Sequence, residues 1–507
     1  MRRGHVPEWI GHRPQVSTRT DVPAPPEAEG RGDTRFFGQP WALATLFGVE
    51  MWERFSFYGM QGILVIYLYF SASQGGLGIS EATATGIVGA YGGAVYLATI
   101  LGAWVSDRLA GPERTLFGSA VVVMAGHVAL ALVPGLGGVG VGLGLVALGS
   151  GGVKANATAL VGSLYAEDDP RRDAGFSLFY MGINIGAFFG PLLTGLLQDE
   201  VGFHYGFGAA AVGMALGLTQ YAFGRRTLPE QTHQVPHPLE PSRRVRYAAA
   251  LAAAVVAVVV LAMTALMTAG NLADWVLGVV TVASVTYFLV ILTSHEVDAT
   301  ERSRVWAFVP LFVCNAVFWS LYQQQFTVVT IFSDKRLDRD LFGWEMPISW
   351  VNSINPVMVI VFAGVFAAVW TRLGDRQPVT PVKFGLGCLV MGLAFWTFLL
   401  NPGGEHQAPL LLLAFTLFVF TMAELLISPV GLSLSTKLAP QRFHTQMVAL
   451  YFLSIAFGTA MAGKLAGHYD PDHETGYFLV LGAVAVAAGL LVLLLTRPIT
   501  KLMAGVR

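Results

Sequence analysis

The sequence predicts an all-α polytopic membrane protein with fourteen transmembrane helices, arranged as two six-helix bundles with two extra helices between them. Three observations carry this. Of 507 residues 54% are hydrophobic and only 12% charged, with a mean hydropathy of +0.59, whereas a soluble domain is roughly 25% charged. Apolar stretches near the length that crosses a bilayer, about 20 residues, recur along the chain in a six, two, six pattern. Basic residues then segregate: of 31 Lys and Arg, 25 fall on one side of a fourteen-span topology, three (Lys335, Arg336, Arg339) on the other, and three (Arg54, Lys154, Lys464) within or at the end of spans. Adding or removing one span would scramble that sidedness, so the positive-inside rule puts both termini in the cytoplasm.

Residues 1–35 are polar, rich in Pro, Arg and Glu, and lack the apolar core of a signal peptide. They read as a disordered cytoplasmic tail, and its His5 and His12 as tail residues. The first bundle, 36–224, holds spans at 42–70, 83–105, 115–134, 140–165, 175–197 and 203–223. A linker domain, 225–305, contains a polar stretch and two spans rich in Ala and Val, 247–268 and 273–293, that carry almost no charge and read as peripheral. The second bundle, 306–497, has spans at 306–333, 348–371, 380–400, 409–436, 444–467 and 476–496, and a short cytoplasmic tail, 498–507, follows. Cys314 and Cys388, the two cysteines, both lie in apolar runs and read as small core side chains. The net charge of −1 gives no sign of nucleic-acid binding, and no metal cluster or cofactor motif is present.

Charges inside the spans are the informative residues. The first span reads Glu50-Met-Trp-Glu-Arg-Phe-Ser-Phe-Tyr-Gly-Met60, so Glu50, Glu53 and Arg54 share one helical face at i, i+3 and i+4. One unpaired charge at mid-membrane costs about 2.5–3.5 kcal/mol on insertion scales, so this face requires partners and water. In the fourth span Lys154 closes the run Gly149-Ser-Gly-Gly-Val-Lys154-Ala-Asn156, whose glycines allow another helix to approach. If the first and fourth spans adjoin, Glu50, Glu53, Arg54 and Lys154 sum to zero. Protonating Glu50 or Glu53 then loosens a hold on Arg54 or Lys154 and leaves a positive site suited to a carboxylate. In the tenth span Glu424 is an isolated buried carboxylate, costly unless a cation visits it. The two halves thus present opposite poles that fit a zwitterion.

The loop Gly102-Ala-Trp-Val-Ser-Asp107-Arg108-Leu-Ala-Gly111-Pro-Glu-Arg114 has a weaker copy at Arg372-Leu-Gly374-Asp375-Arg376 through Lys383. A duplicated six-span unit with a site between the halves marks a parallel-repeat transporter. The loop resembles the signature of the major facilitator superfamily and implies that fold, with Asp107 and Arg108 as a cytoplasmic latch. A closer resemblance is to the proton-dependent oligopeptide transporters, whose first span carries Glu-x-x-Glu-Arg-Phe-x-Tyr-Tyr-Gly; here Phe57 replaces a tyrosine. The glycine run ending at Lys154, Phe179-Tyr180-Met-Gly-Ile-Asn184-Ile-Gly186, Phe318-Trp319, Asn355-Pro356 and Glu424 to Pro429 are similar to that family's other marks. The resemblance implies a substrate pocket lined by Tyr58, Tyr91, Lys154, Asn184, Trp319, Gln323, Asn355, Glu424 and Ser428. Many members have a basic residue at Gln61 and an acid at Gln323. If those positions face each other, an amide pair replaces an ionic outer gate and weakens the pH dependence of its closure. The histidine that animal members place in the second span is missing, and His127 sits mid-span on the third.

The resemblance implies a proton-coupled symporter that imports di- and tripeptides by alternating access across a bacterial cytoplasmic membrane. It would use protons as coupling ion, no other cofactor, and function as a monomer within the lipid bilayer. A drug exporter of the same superfamily, or a carrier of nitrate or amino acids, is the alternative. An enzyme is disfavoured, because the chain has neither His-Glu-x-x-His nor Gly-x-Ser-x-Gly.

Overall fold

A computed structural model of the chain describes residues 33–166, 169–401 and 404–506. The predicted tail up to residue 32, with His5 and His12, lies outside the described residues, as does the side chain of Asp375 in the weaker loop copy. Six helices form the first bundle: α1 (Trp41–Tyr69), α2 (Glu81–Val105), α3 (Pro112–Leu132), α4 (Gly135–Ser163), α5 (Arg172–Glu200) and α6 (Phe203–Gly224). Next come α7 (Pro241–Met263) and α8 (Leu272–Thr293), then α9 (Ala299–Tyr322), α10 (Val328–Lys335), α11 (Ile354–Leu373), α12 (Thr380–Thr397), α13 (Leu410–Lys437), α14 (His444–Ala466), α15 (Glu474–Leu494) and the short α16 (Thr496–Leu502).

Among the described residues, 12 helices are long and apolar enough to cross a membrane. The helices α1 and α6, of 29 and 22 residues, fall outside that set because of Glu50, Glu53 and Arg54 in one and His204, Gln220 and many glycines in the other. Both pack inside the first bundle, α1 against α5 and α6, and α6 also against α3. They complete fourteen membrane-length elements, and an even number returns both ends to one face.

Helix ends follow capping chemistry rather than the limits of the apolar runs. The Asp33 carboxylate accepts the Trp41 backbone N–H at 2.9 Å and so caps the start of α1. Asp298 caps α9 by accepting the Glu301 N–H at 2.7 Å, with Glu301 reaching back to the Asp298 N–H at 3.2 Å. This starts α9 seven residues before the predicted span at 306. That same span is also not one continuous helix. After Tyr322 the chain tightens into a 3₁₀ turn, Gln323–Phe326, before α10 resumes. Side chains satisfy the interrupted ladder: Gln324 Nε2 donates to the Ser320 carbonyl at 3.0 Å, and Tyr477 donates to Gln324 Oε1 at 2.7 Å. Broken helices at mid-membrane depth are tolerated where they border a cavity.

The halves meet through α2 with α14 and α5 with α11, so the second helix of each bundle packs on the fifth of the other. This reciprocal pairing is what two repeats related by an axis along the membrane normal require. Between them α8 packs against both α2 and α14, held by the Lys464–Asp274 ion pair, whereas α7 buries none of its residues. At the face opposite the termini the halves are joined. Tyr69 donates to Asp334 at 2.6 Å, Lys335 pairs with Glu81 at 2.9 Å, and the 3₁₀ helix Ile348–Ser353 that leads into α11 seats on α5. At the face bearing the termini, α4 and α5 make no more than marginal contact with α13 among the described residues, so the halves are less closely joined on that side.

Candidate functional site

Two charged poles face the space between the halves. In the first, Arg54 Nε lies 2.9 Å from Glu50 Oε1 and 3.0 Å from Glu53 Oε2, with all three side chains no more than 4% exposed. One guanidinium thus serves two carboxylates. The other oxygen of Glu53 accepts a 2.7 Å hydrogen bond from Ser150 of α4, which brings the first and fourth helices together at this level. Lys154, one helical turn beyond Ser150, has no carboxylate within ion-pairing distance among the described residues and holds its ammonium 4.3 Å over the Tyr96 ring. A half-buried lysine sitting on an aromatic face is a cation available to a visiting anion.

The glycines around Lys154 admit other helices, as their small size allows. A Cβ on Gly151 would lie 2.4 Å from the Ala98 backbone, and one on Gly149 2.6 Å from the Ser119 carbonyl. The run therefore admits α2 and α3, and α1 is reached through Ser150.

The second pole is Glu424 on α13. Its Oε2 accepts from the Tyr322 hydroxyl at 2.8 Å and from Asn355 Nδ2 at 3.3 Å, while Asn355 also donates to Thr421 at 2.9 Å. Oε1 takes no hydrogen bond from the described residues, so the carboxylate is oriented but only half used. Tyr58, Tyr96 and Tyr180 of the first half and Tyr451 of the second all lie within electrostatic range of Glu424. Tyr58 stacks on Phe326 of the broken α9–α10 segment, with ring centroids 5.9 Å apart. The two poles are thereby walled by aromatic side chains with hydroxyl groups, a lining that accepts peptide-sized polar molecules of varied shape.

Several predicted lining residues sit elsewhere. Tyr91 is buried, packs on Phe57 at 5.9 Å and has an unpartnered hydroxyl, so the accessible tyrosine of α2 is Tyr96. Asn184 spends its amide on the Tyr180 carbonyl at 2.9 Å, one turn back on α5. Trp319 is buried edge-on against Tyr322 at 5.1 Å and orients that tyrosine from behind. Ser428 lies half-buried one turn beyond Glu424. Gln61 and Gln323 share no hydrogen bond, because the 3₁₀ turn carries Gln323 to the Tyr96 hydroxyl while Gln61 Oε1 is buried and unpartnered. Asp107 and Arg108 pair with each other at 3.2 Å, and Asp107 also binds His237 of the linker at 2.7 Å. His127 is fully buried, with neither ring nitrogen partnered among the described residues.

Ser150, Tyr96, Tyr180, Tyr322, Phe326 and Tyr451 are site residues that the sequence reading passed over. Ser150 stands four residues before Lys154 and so on its face, a signal that was present. Tyr322 directly precedes the Gln323–Gln325 run, but nothing local tells it from the other aromatic residues of an apolar span.

Comparison with known proteins places this geometry in a group. A model of the POT family matches residues 113–476. The chain is similar to a di-/tripeptide transporter of Lactococcus lactis subsp. cremoris, 39% identical over 490 residues that cover 93% of this chain and 98% of the relative. It is 40% identical over 474 residues to an uncharacterized transporter of Bacillus subtilis (strain 168), covering 93% and 96%. Among solved structures it is similar to a peptide transporter POT in complex with sulfate, at 42% identity, TM-score 0.89 and coverage of 93% and 98%. It is also similar to a POT family transporter in complex with 5-aminolevulinic acid, at 36% identity, TM-score 0.87 and coverage of 92% and 98%.

Proposed function

Because the chain belongs to the POT family, we propose that it imports di- and tripeptides together with protons across a bacterial cytoplasmic membrane, by alternating access and as a monomer. The observation that carries this reading is the unequal pairing of the two poles. Among the described residues Lys154 has no carboxylate partner and Glu424 keeps one oxygen free, so a peptide carboxylate and ammonium each meet an opposite charge that the protein itself has not satisfied. Arg54, held by two glutamates, is not free to bind an anion. The sidedness of basic residues supports cytoplasmic termini, and the less closely joined side then faces the cytoplasm.

Coupling follows from the Glu50–Glu53–Arg54 cluster. A proton on Glu53 weakens its attraction to Arg54 and removes a negative charge from the neighbourhood of Lys154, which favours a peptide carboxylate there. Release of that proton to the cytoplasm restores the ion pair and makes the pole less attractive to the anion. Tyr58, Tyr96 and Tyr180 line the path between the poles, and Asn355 and Tyr322 aim Glu424.

The test is uptake of labelled dialanine into proteoliposomes with an inward proton gradient and with that gradient collapsed. Gradient-driven accumulation is expected, and it should vanish in Glu53→Gln and in Lys154→Ala. Absence of peptide uptake by folded protein, beside a working control transporter, would overturn the substrate assignment and leave the fold intact.

A further inference from the structure

At the outer face of the proposed orientation, the 3₁₀ helix Ile348–Ser353 aims three side-chain donors at the main chain of α5. Ser349 Oγ donates to the Pro191 carbonyl at 3.0 Å, Trp350 Nε1 to the Leu192 carbonyl at 3.0 Å, and Ser353 Oγ to the Phe188 carbonyl at 2.8 Å. Ser349 and Ser353 are no more than 3% exposed. The seat depends on Gly195, where a Cβ would fall 1.8 Å from Ser349 Oγ, whereas a Cβ on Gly62 would make only ordinary contacts of 3.4 Å with Pro191 and Ser349. Of the two charged links between the halves at this face, the Tyr69 hydroxyl on the Asp334 carboxylate is partly buried, whereas the Lys335–Glu81 ion pair has side chains 41% and 32% exposed, where it contributes little. Asn352 lies in the same 3₁₀ helix with both amide atoms buried and unpartnered among the described residues, its Nδ2 3.7 Å from the site of a Gly62 Cβ, and Gln61, the residue before that glycine, also has its Oε1 buried and unpartnered.

We propose that the outer gate is held shut by this uncharged clamp of Ser349, Trp350 and Ser353 on α5 carbonyls, and that Asn352 and Gln61 oppose it. The inference rests on the alternating-access reading. Closing the gate trades water for main-chain acceptors at three donors and strips water from two amides. The first effect stabilises the closed state, and the second limits how deep that state is. Gate strength therefore lies in the buried neutral bonds together with the Tyr69–Asp334 hydrogen bond, and little of it in the exposed ion pair.

Spin labels on Ser73→Cys and Phe342→Cys, exposed positions on opposite halves at this face, report gate opening as a distance distribution in liposome-reconstituted protein. The native Cys314 and Cys388 are buried. Ser349→Ala with Ser353→Ala should raise the ratio of open to closed outer gate about ten- to thirtyfold. Ser353→Thr, which keeps the hydroxyl, should stay near wild type. Asn352→Leu should move the ratio the other way, about three- to tenfold, and Glu81→Gln should change it less than about twofold. An equal opening in Glu81→Gln, or opening in Asn352→Leu, would overturn the proposal. The distances need no substrate, so a chain that failed to take up dialanine yet showed these shifts would contradict the peptide reading alone.

Discussion

Glu424→Gln isolates the half-used carboxylate. The substitution keeps an oxygen for Tyr322 and Asn355 to hold, at 2.8 and 3.3 Å in the native protein, and removes only the charge. If the free Oε1 receives a peptide ammonium, the interaction is a charge-assisted hydrogen bond in a sheltered site, worth about 1.5–3 kcal/mol. That corresponds to roughly ten- to a hundredfold in affinity. Absolute affinity is a blunt readout, because any damage lowers it; discrimination is sharper. Counterflow of labelled dialanine, which needs no proton gradient, should be inhibited by unlabelled dialanine about ten- to a hundredfold better than by N-acetyl-dialanine in the native protein. In Glu424→Gln the two competitors should come within about threefold of each other. Native-like discrimination in a variant that still exchanges dialanine would refute the assignment of the ammonium to Glu424.

Arg54→Leu leaves Glu50 and Glu53 buried with no cation in contact and should destabilise the protein by about 3–5 kcal/mol, read as lowered thermal stability in detergent; adding Glu50→Gln should recover part of the loss. At the start of α1, hydrogen bonds from the Arg35 side chain and the Trp41 N–H hold the Asp33 carboxyl well below its usual range. A depressed acid contributes its stabilisation above its unfolded value and loses it as pH falls through and below about 4, so Trp41 fluorescence should report release of residues 33–41 in acid, and Asp33→Asn should abolish that transition. The linker docks by the His237–Asp107 contact, two main-chain bonds to Asp107 and Arg108 at 3.0 Å, and His233 on the buried Glu113 at 3.1 Å. His237→Ala with His233→Ala should therefore speed tryptic cleavage around Arg225 and Arg243 severalfold while transmembrane helix content, measured by circular dichroism, stays unchanged.

Composition and span length made the helical membrane fold legible, because a bilayer demands long apolar helices whatever their partners. Glu50, Glu53, Arg54, Lys154 and Glu424 were legible for the complementary reason that charge in such helices is expensive. What the sequence hid is pairing across distant segments. That Ser150 rather than Lys154 touches Glu53, and that Tyr96 rather than Tyr91 faces the cavity, depends on how α2, α3 and α4 rotate around their glycine contacts. The break at Gln323–Phe326 was hidden as well, since no Pro or Gly marks it and its stabilising partner Tyr477 lies 153 residues away from Gln324. That break is also why Gln61 and Gln323 do not meet. The Sγ atoms of Cys314 and Cys388, read as separate core residues, lie 3.3 Å apart between α9 and α12.

In a one-proton version of the cycle proposed above, the pairing of charges would also set the driving force. With every group ionised, Glu50, Glu53, Arg54 and Lys154 cancel, and Glu424 leaves the empty site at −1. A zwitterionic peptide adds nothing to that total, and one proton brings the loaded site to zero. Reorientation of the loaded carrier then moves no net charge through the membrane field. The empty carrier returns outward with its negative charge, and an inside-negative potential pushes it that way. One elementary charge across 100 mV is worth about 2.3 kcal/mol, roughly a fiftyfold bias on that step. In that cycle the membrane potential would act on the return of the empty carrier and the pH gradient on loading. Neutralising Glu424 should therefore remove the voltage dependence of the return while leaving proton binding at Glu50 and Glu53 in place.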